Sequence, residues 1–236
     1  MTTLRRSAAI GSLFLGALAV ATISRAQTPA PIGERIAKTY GLDSFDKIEA
    51  IRYTFNAQFP GVNVSRSWVW HPRSGEVSYE GKDKDGSAVK VAYVQSQLNS
   101  EAAKVRDEIE PAFANDKYNL LFPLQFYWDG AVVRDLGKQK LPLGDGSAEQ
   151  VVVDYSPGDV WNLYVGPDNR VEAFAFHRGG PKKPSVVIAT WAGYKKAGPL
   201  LIATDRRGTA DGQPLHISFT DVAVKLTGSD NWVNAQ

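Results

Sequence analysis

The sequence predicts an α+β protein, mainly antiparallel β, in which a sheet of about eleven strands curves beneath helices that cover its concave face. Three observations carry this expectation. Alternating polar and apolar runs fill most of the chain after residue 50. Turn residues such as Pro60-Gly61, Gly144-Asp145-Gly146, Gly166-Pro167-Asp168-Asn169 and Asp211-Gly212 break those runs at short intervals. No interval between runs holds the crossover helix that a parallel pair needs, so neighbouring strands are antiparallel.

Residues 1–26 read as an export signal: Arg5 and Arg6, an apolar run from Ala8 to Ile23, then Ser24-Arg25-Ala26 with small residues flanking the arginine. The apolar run is short and rich in Ala and Gly, which suits cleavage better than anchoring, and no integral membrane segment is expected after its removal. The general export route fits better than the twin-arginine route, because the residues after Arg6 match the latter signal poorly. Residues 27–31 read as a linker, 32–228 as one domain and 229–236 as a tail.

Within the domain, Ile32, Ile36, Ala37 and Tyr40 recur at helical spacing, with Gly41 as a stop. Ile51, Tyr53, Phe55 and Ala57 then share one strand face, and Val62, Val64, Trp68 and Trp70 another, with Arg66 among them. Val77 with Tyr79, and Val89, Val91 and Tyr93, complete a four-stranded meander. A second helix comes next, with Ser100 as its cap and Ala102, Val105, Ile109 and Phe113 along one stripe, bent or ended at Pro111. Strands then run over 131–136, 150–156, 160–166, 171–177, 185–194, 199–205 and 214–226.

Between helix and strands lies NLLFPLQFYWDG, residues 119–130, in which Leu120, Leu121, Phe122, Leu124, Phe126, Tyr127 and Trp128 surround Pro123. Two readings are open. Residues 117–128 form a short buried helix, or they form an apolar lid, weakened by the proline, over the mouth of the curved sheet.

Composition removes several function classes. Three of the 27 Lys and Arg lie in the signal, which leaves 24 against 25 Asp and Glu, a net charge of −1 for the exported chain. Without a basic stripe there is no electrostatic footprint for nucleic acid. The absence of cysteine excludes disulfides, thiolate catalysis and attachment of lipid through cysteine. His71, His177 and His216 stand apart on different strands and not at metal-ligand spacing. Asp83-Lys84-Asp85-Gly86-Ser87 lacks the later ligands of a calcium loop and reads as a hairpin turn. No nucleophile elbow, dinucleotide fingerprint or phosphate-binding loop is present, and no cofactor or metal is expected. The six Trp, nine Tyr and ten Phe are the distinctive resource.

W-x-W-x-P at Trp68 to Pro72, L-F-P-L at Leu121 to Leu124, D-V-W-x-L-Y-V at Asp159 to Val165, W-x-x-Y at Trp191 to Tyr194 and I-x-F-x-D-V-x-V at Ile217 to Val224 succeed one another in order. Together they resemble the outer-membrane lipoprotein carrier and sorting proteins, and more closely a secreted branch of their relatives. The resemblance implies an unclosed antiparallel half-barrel with helices over an apolar cavity. For the functional arginine of that family, Arg52 and Arg66 are the candidates here. The function it implies is that of a periplasmic, non-enzymatic carrier or sensor of a lipid, acyl chain or other hydrophobic ligand. Its cavity and lid would be drawn from Trp68, Trp70, Tyr79, Tyr93, Phe113, Leu121, Phe122, Phe126, Trp161, Tyr164, Trp191 and Phe219. Two alternatives stand beside it: an envelope module that binds a protein partner, and a secreted hydrolase or sugar-active enzyme assembled from scattered carboxylates.

Overall fold

The structure, a computed structural model, describes residues 31–155, 158–179 and 186–236. The export signal, the linker up to residue 30 and the turn at Ser156-Pro157 lie outside the described residues.

The meander forms as its alternation predicts. β1 (Ile48–Phe59), β2 (Val62–His71), β3 (Glu76–Lys82) and β4 (Ala88–Val94) pair in sequence order, antiparallel throughout. A second meander comprises β5 (Val132–Lys140), β6 (Ser147–Tyr155), β7 (Asp159–Val165), β8 (Val171–His177) and β9 (Val186–Thr190). β10 (Ala192–Ala197), β11 (Leu200–Ala210), β12 (Gln213–Leu226) and β13 (Trp232–Asn234) complete the sheet. β12 joins the two halves: it pairs β11 through residues 213–218 and β1 through residues 216–226. The result is an unclosed antiparallel half-barrel of thirteen strands whose free edges are β4 and β5.

Several elements differ from the sequence expectation. The run 185–194 is two strands, because the chain turns a corner at Trp191, where Gly193 takes a positive φ of 66°. β9 then pairs β8 and β11, whereas β10 pairs β11 and, among the described residues, no other strand. The tail is not free: residues 232–234 form β13 against β12, and Arg52 on the outer face holds it through Asn234 and the Trp232 ring.

Gly208 explains how β9 crosses so near β11. A Cβ there would stand 1.9 Å from the Ile188 carbonyl oxygen and 2.6 Å from the Ala189 Cα, both backbone atoms. Gly208→Ala is therefore expected to cost roughly 1–3 kcal/mol, the usual penalty for overpacking, read as a lower urea midpoint at unchanged slope.

α1 (Ile32–Thr39) forms where expected and buries Ile36 and Ala37. The second helix is longer and differently capped. Ser100 ends a 3₁₀ turn, Gln95–Ser100, and its Oγ donates back to the Gln97 carbonyl instead of capping the helix. A π-turn over Val105–Ile109 leads directly into α2 (Glu110–Trp128), which runs through both prolines. Pro111 sits in the first turn of α2, where a missing N–H is tolerated. Pro123 distorts the helix: Leu121 leaves helical geometry at φ −110°, ψ 19°.

α2 lies across the concave face. At one end Phe113 packs on Trp68 and Trp70, and further along Phe122 packs on Trp161 and Trp191. Leu120, Leu121, Phe122, Leu124 and Phe126 are all buried. NLLFPLQFYWDG is thus the C-terminal half of a core helix.

Candidate functional site

Beside the N-terminal half of α2 the sheet is not fully covered. A cleft of about 550 Å³ opens between the helix and the concave face. Its sheet side is built from residues of seven strands, among them Phe55 and Ala57 of β1, Trp161 of β7, Phe174 and Phe176 of β8, and Ile217 of β12. Its helix side is Ala114, Asn115, Tyr118 and Asn119. The alternation that builds each strand dictates this lining, because every second residue of a half-barrel faces inward. The lip is polar. Asp159 and Asp211 stand there with their carboxylates accepting from the backbone N–H groups of Gly179 and Val186, and Arg178 is exposed beside them.

Two buried polar arrangements fix α2 over the sheet. Asp116 is wholly buried and accepts two bonds from Arg66 of β2, at 2.7 Å from Nε and 2.6 Å from Nη2, and a third at 3.0 Å from Trp68 Nε1. Burial pushes the Asp116 carboxyl above the ordinary carboxylate range, and the bonds from Arg66 pull against that.

Arg206 of β11 is likewise wholly buried, with its guanidinium 3.7 Å from the centre of the Trp191 ring and 5.2 Å from that of Phe219. Desolvation pulls its pKa down to about 9, which leaves it cationic at neutral pH. Its Nη2 donates to the Asn119 carbonyl at 2.5 Å and its Nη1 to the Asn119 side-chain oxygen at 3.3 Å. In a regular α-helix the Asn119 carbonyl would accept from the N–H of residue 123. That residue is Pro123, which has none. Arg206 supplies the donor that the proline withholds.

A third polar group ties α1 to the sheet. The Tyr40 and Tyr194 hydroxyls bond to each other, Tyr194 donates to the Val171 carbonyl, and the Val171 N–H donates to Tyr40. Burial pushes the Tyr40 hydroxyl up to about 12.

The aromatic residues singled out from sequence fall into distinct places. Trp161 lines the apolar cleft. Trp68, Trp70, Tyr93, Phe113, Leu121, Phe122, Phe126, Trp191 and Phe219 belong to the main core under α2, and so does Tyr79, whose ring also borders a second cleft. Tyr164 is not among them: it packs with Leu141, Ala148 and Ala173 in a small cluster apart from that core. The lining that sequence reading missed, Phe55, Phe174, Phe176 and Ile217, was visible as inward positions of strands. Which inward positions α2 leaves uncovered was not.

Of the arginines, Arg52 lies on the outer face, Arg66 pairs with Asp116, and the one immersed in the core is Arg206. Among the described residues no group of three or more His, Asp or Glu side chains is placed to hold a metal ion, and no helix is long and apolar enough to cross a membrane.

Fold and site together define an unclosed half-barrel with an apolar cleft beneath its covering helix. Some solved structures are similar to this chain. A DUF1329 family protein from Desulfovibrio piger matches with a TM-score of 0.44 at 9% identity, over 84% of this chain and 94% of that one. A putative outer membrane lipoprotein-sorting protein domain from Vibrio parahaemolyticus matches with a TM-score of 0.41 at 12% identity, over 84% and 95%. A LolA superfamily protein from Nitrosomonas europaea matches with a TM-score of 0.43 at 11% identity, over 85% and 96%. Neither a protein-family model nor a curated protein sequence matches the chain.

Proposed function

We propose that the protein is a non-enzymatic carrier or sensor of the periplasm that takes an acyl chain or similar hydrophobic ligand into the apolar cleft. One observation carries the reading. Phe55, Phe174, Phe176, Trp161 and Ile217 converge on a space of about 550 Å³ that no side chain among the described residues fills. That volume lies within the range of small-molecule sites, and such sites are concave, mostly apolar and rimmed by a few polar groups. A folded chain able to close this gap would gain about 25 cal/mol for each Å² of apolar surface removed from water. Leaving it open fits a surface kept for a partner molecule. The export signal read from residues 1–26 supports the periplasm as the compartment.

Titration of the exported chain with a fluorescent fatty acid is expected to saturate at one probe per protein. Ala210 lines the cleft at the end of β11, so Ala210→Trp should fill it and weaken the probe about tenfold or more, equivalent to roughly 1.4 kcal/mol. Undiminished binding to that variant, or no binding to the parent protein, would sink the reading.

A further inference from the structure

We infer that the ligand is an amphiphile with an anionic, phosphate-type head group, its chain in the apolar cleft and its head in a polar notch on the other side of the Arg66–Asp116 bridge. The inference rests on the reading of the apolar cleft as a ligand site and adds the class of head group.

The notch arises from a mismatch in strand pairing. β1 and β2 stay paired out to Phe59 opposite Val62, but β2 and β3 are paired only as far as Ser67 opposite Glu80. Beyond that point the two strands splay. The gap between them, about 890 Å³, is bounded by residues 63–67 of β2, by Tyr79 to Lys84, and by Lys104 and Glu108 at the start of the helix. Its walls carry amides, hydroxyls and charges, in contrast to the aromatic walls of the other cleft. Val64 and Arg66 line both. On the helix side Ala112 faces the notch and Ala114 and Asn115 face the apolar cleft, with Asp116 and its bonds to Arg66 close by.

The ion pairs around the notch leave a cationic remainder. Lys104 is held by Asp83 at 2.7 Å and Glu108 at 3.5 Å, and Glu80 pairs with Lys90. Lys82 and Lys84 make no ion pair among the described residues. Arg66 spends Nε and Nη2 on Asp116. Its Nη1 makes no hydrogen bond among the described residues, and its side chain keeps 22% of its exposure at the junction. Two lysines and one guanidinium N–H around a polar recess that adjoins an apolar one match a phosphate joined to a hydrocarbon chain.

The test compares two chain-matched probes, tetradecanoyl-lysophosphatidylglycerol and uncharged tetradecanoylglycerol, each below its micelle concentration, on the full exported chain. The charged probe is expected to bind about tenfold tighter, the factor that roughly 1.4 kcal/mol supplies. Lys82 and Lys84 are exposed, so the double variant Lys82→Ala/Lys84→Ala should fold normally, checked by circular dichroism. It should bring the charged probe down to the level of the uncharged one. Equal binding of the two probes by the parent protein, or a preference that survives the double variant, overturns the head-group inference while the apolar-cleft reading stands. Inorganic phosphate that binds with the same lysine dependence, and as tightly as the charged probe, replaces the amphiphile with a free anion and also overturns it. If neither probe binds, the reading beneath it fails as well.

Discussion

Phe122→Ala is expected to lower the unfolding free energy by about 3–5 kcal/mol, the full cost of a core aromatic. The side chain is completely buried. Its ring stacks on Trp161 at 4.2 Å between centroids and is flanked by Tyr118 at 5.1 Å and Phe126 at 5.6 Å. A lid over a ligand cavity would come from the low-stability end of the structure and would be cheap to truncate. Here Leu120, Leu121, Phe122, Leu124 and Phe126 are core, while Tyr127 and Trp128 at the end of the helix are exposed, and the cleft begins one turn earlier, at Tyr118 and Asn119. Amide exchange should therefore be as slow in residues 120–126 as in β8, and ligand should slow exchange upstream, around residues 112–119. Chemical denaturation of the variant beside hydrogen exchange of the parent checks both. A cost near 1 kcal/mol together with fast exchange over 119–128 would restore the lid.

Arg66→Met is expected to cost a further roughly 3–5 kcal/mol near neutral pH, because it leaves Asp116 as an unpaired charge in a buried site. The guanidinium provides two of the bonds to that carboxylate, and the remaining donors are Trp68 Nε1 at 3.0 Å and Asn115 Nδ2 at 3.1 Å. The loss should depend on pH with a definite sign. Burial already raises the Asp116 carboxyl above its ordinary value of 3.8, and Arg66 is the chief force opposing that rise. Without Arg66 the folded protein holds the proton at a pH where the unfolded chain has released it. The native state then binds more protons than the unfolded one, so stability is regained as pH falls from the raised folded value toward 3.8. Urea midpoints of parent and variant should converge on acidification, and Asp116→Leu added to Arg66→Met should recover most of the loss at neutral pH. A constant difference across that window would mean that Asp116 does not stay buried and charged.

Much of the architecture is determined by local sequence. Alternation with period two made β1 to β4 legible residue by residue, since each of Ile51, Tyr53, Phe55 and Ala57 faces inward as its position requires. Turn residues at φ > 0, such as Gly61 and Gly212, cut the runs in the right places. Helical spacing revealed α1 and a helical stretch over Ala102 to Phe113, the middle of which proved to be the π-turn leading into α2, and the run of large apolar residues around Pro123 announced a buried segment, whatever its mobility.

Tertiary structure decided what depends on partners far apart in the chain. An inward-facing strand residue looks the same whichever strand lies beside it, so nothing local foretold that β12 would pair with β1 and join the two meanders. Arg66 and Asp116 are fifty residues apart, and only the placement of α2 across the sheet brings them together. The same holds for Arg206. Pro123 tells from sequence alone that the Asn119 carbonyl lacks its helical donor, but it does not tell who supplies one. Sequence reading ended that strand at residue 205, one position short of the arginine that does, since β11 continues to Ala210. The cleft itself is the space left where α2 fails to cover the sheet, and an uncovered space belongs to no residue. It is fixed by the length and seating of a helix against a curved surface, which only the folded whole specifies.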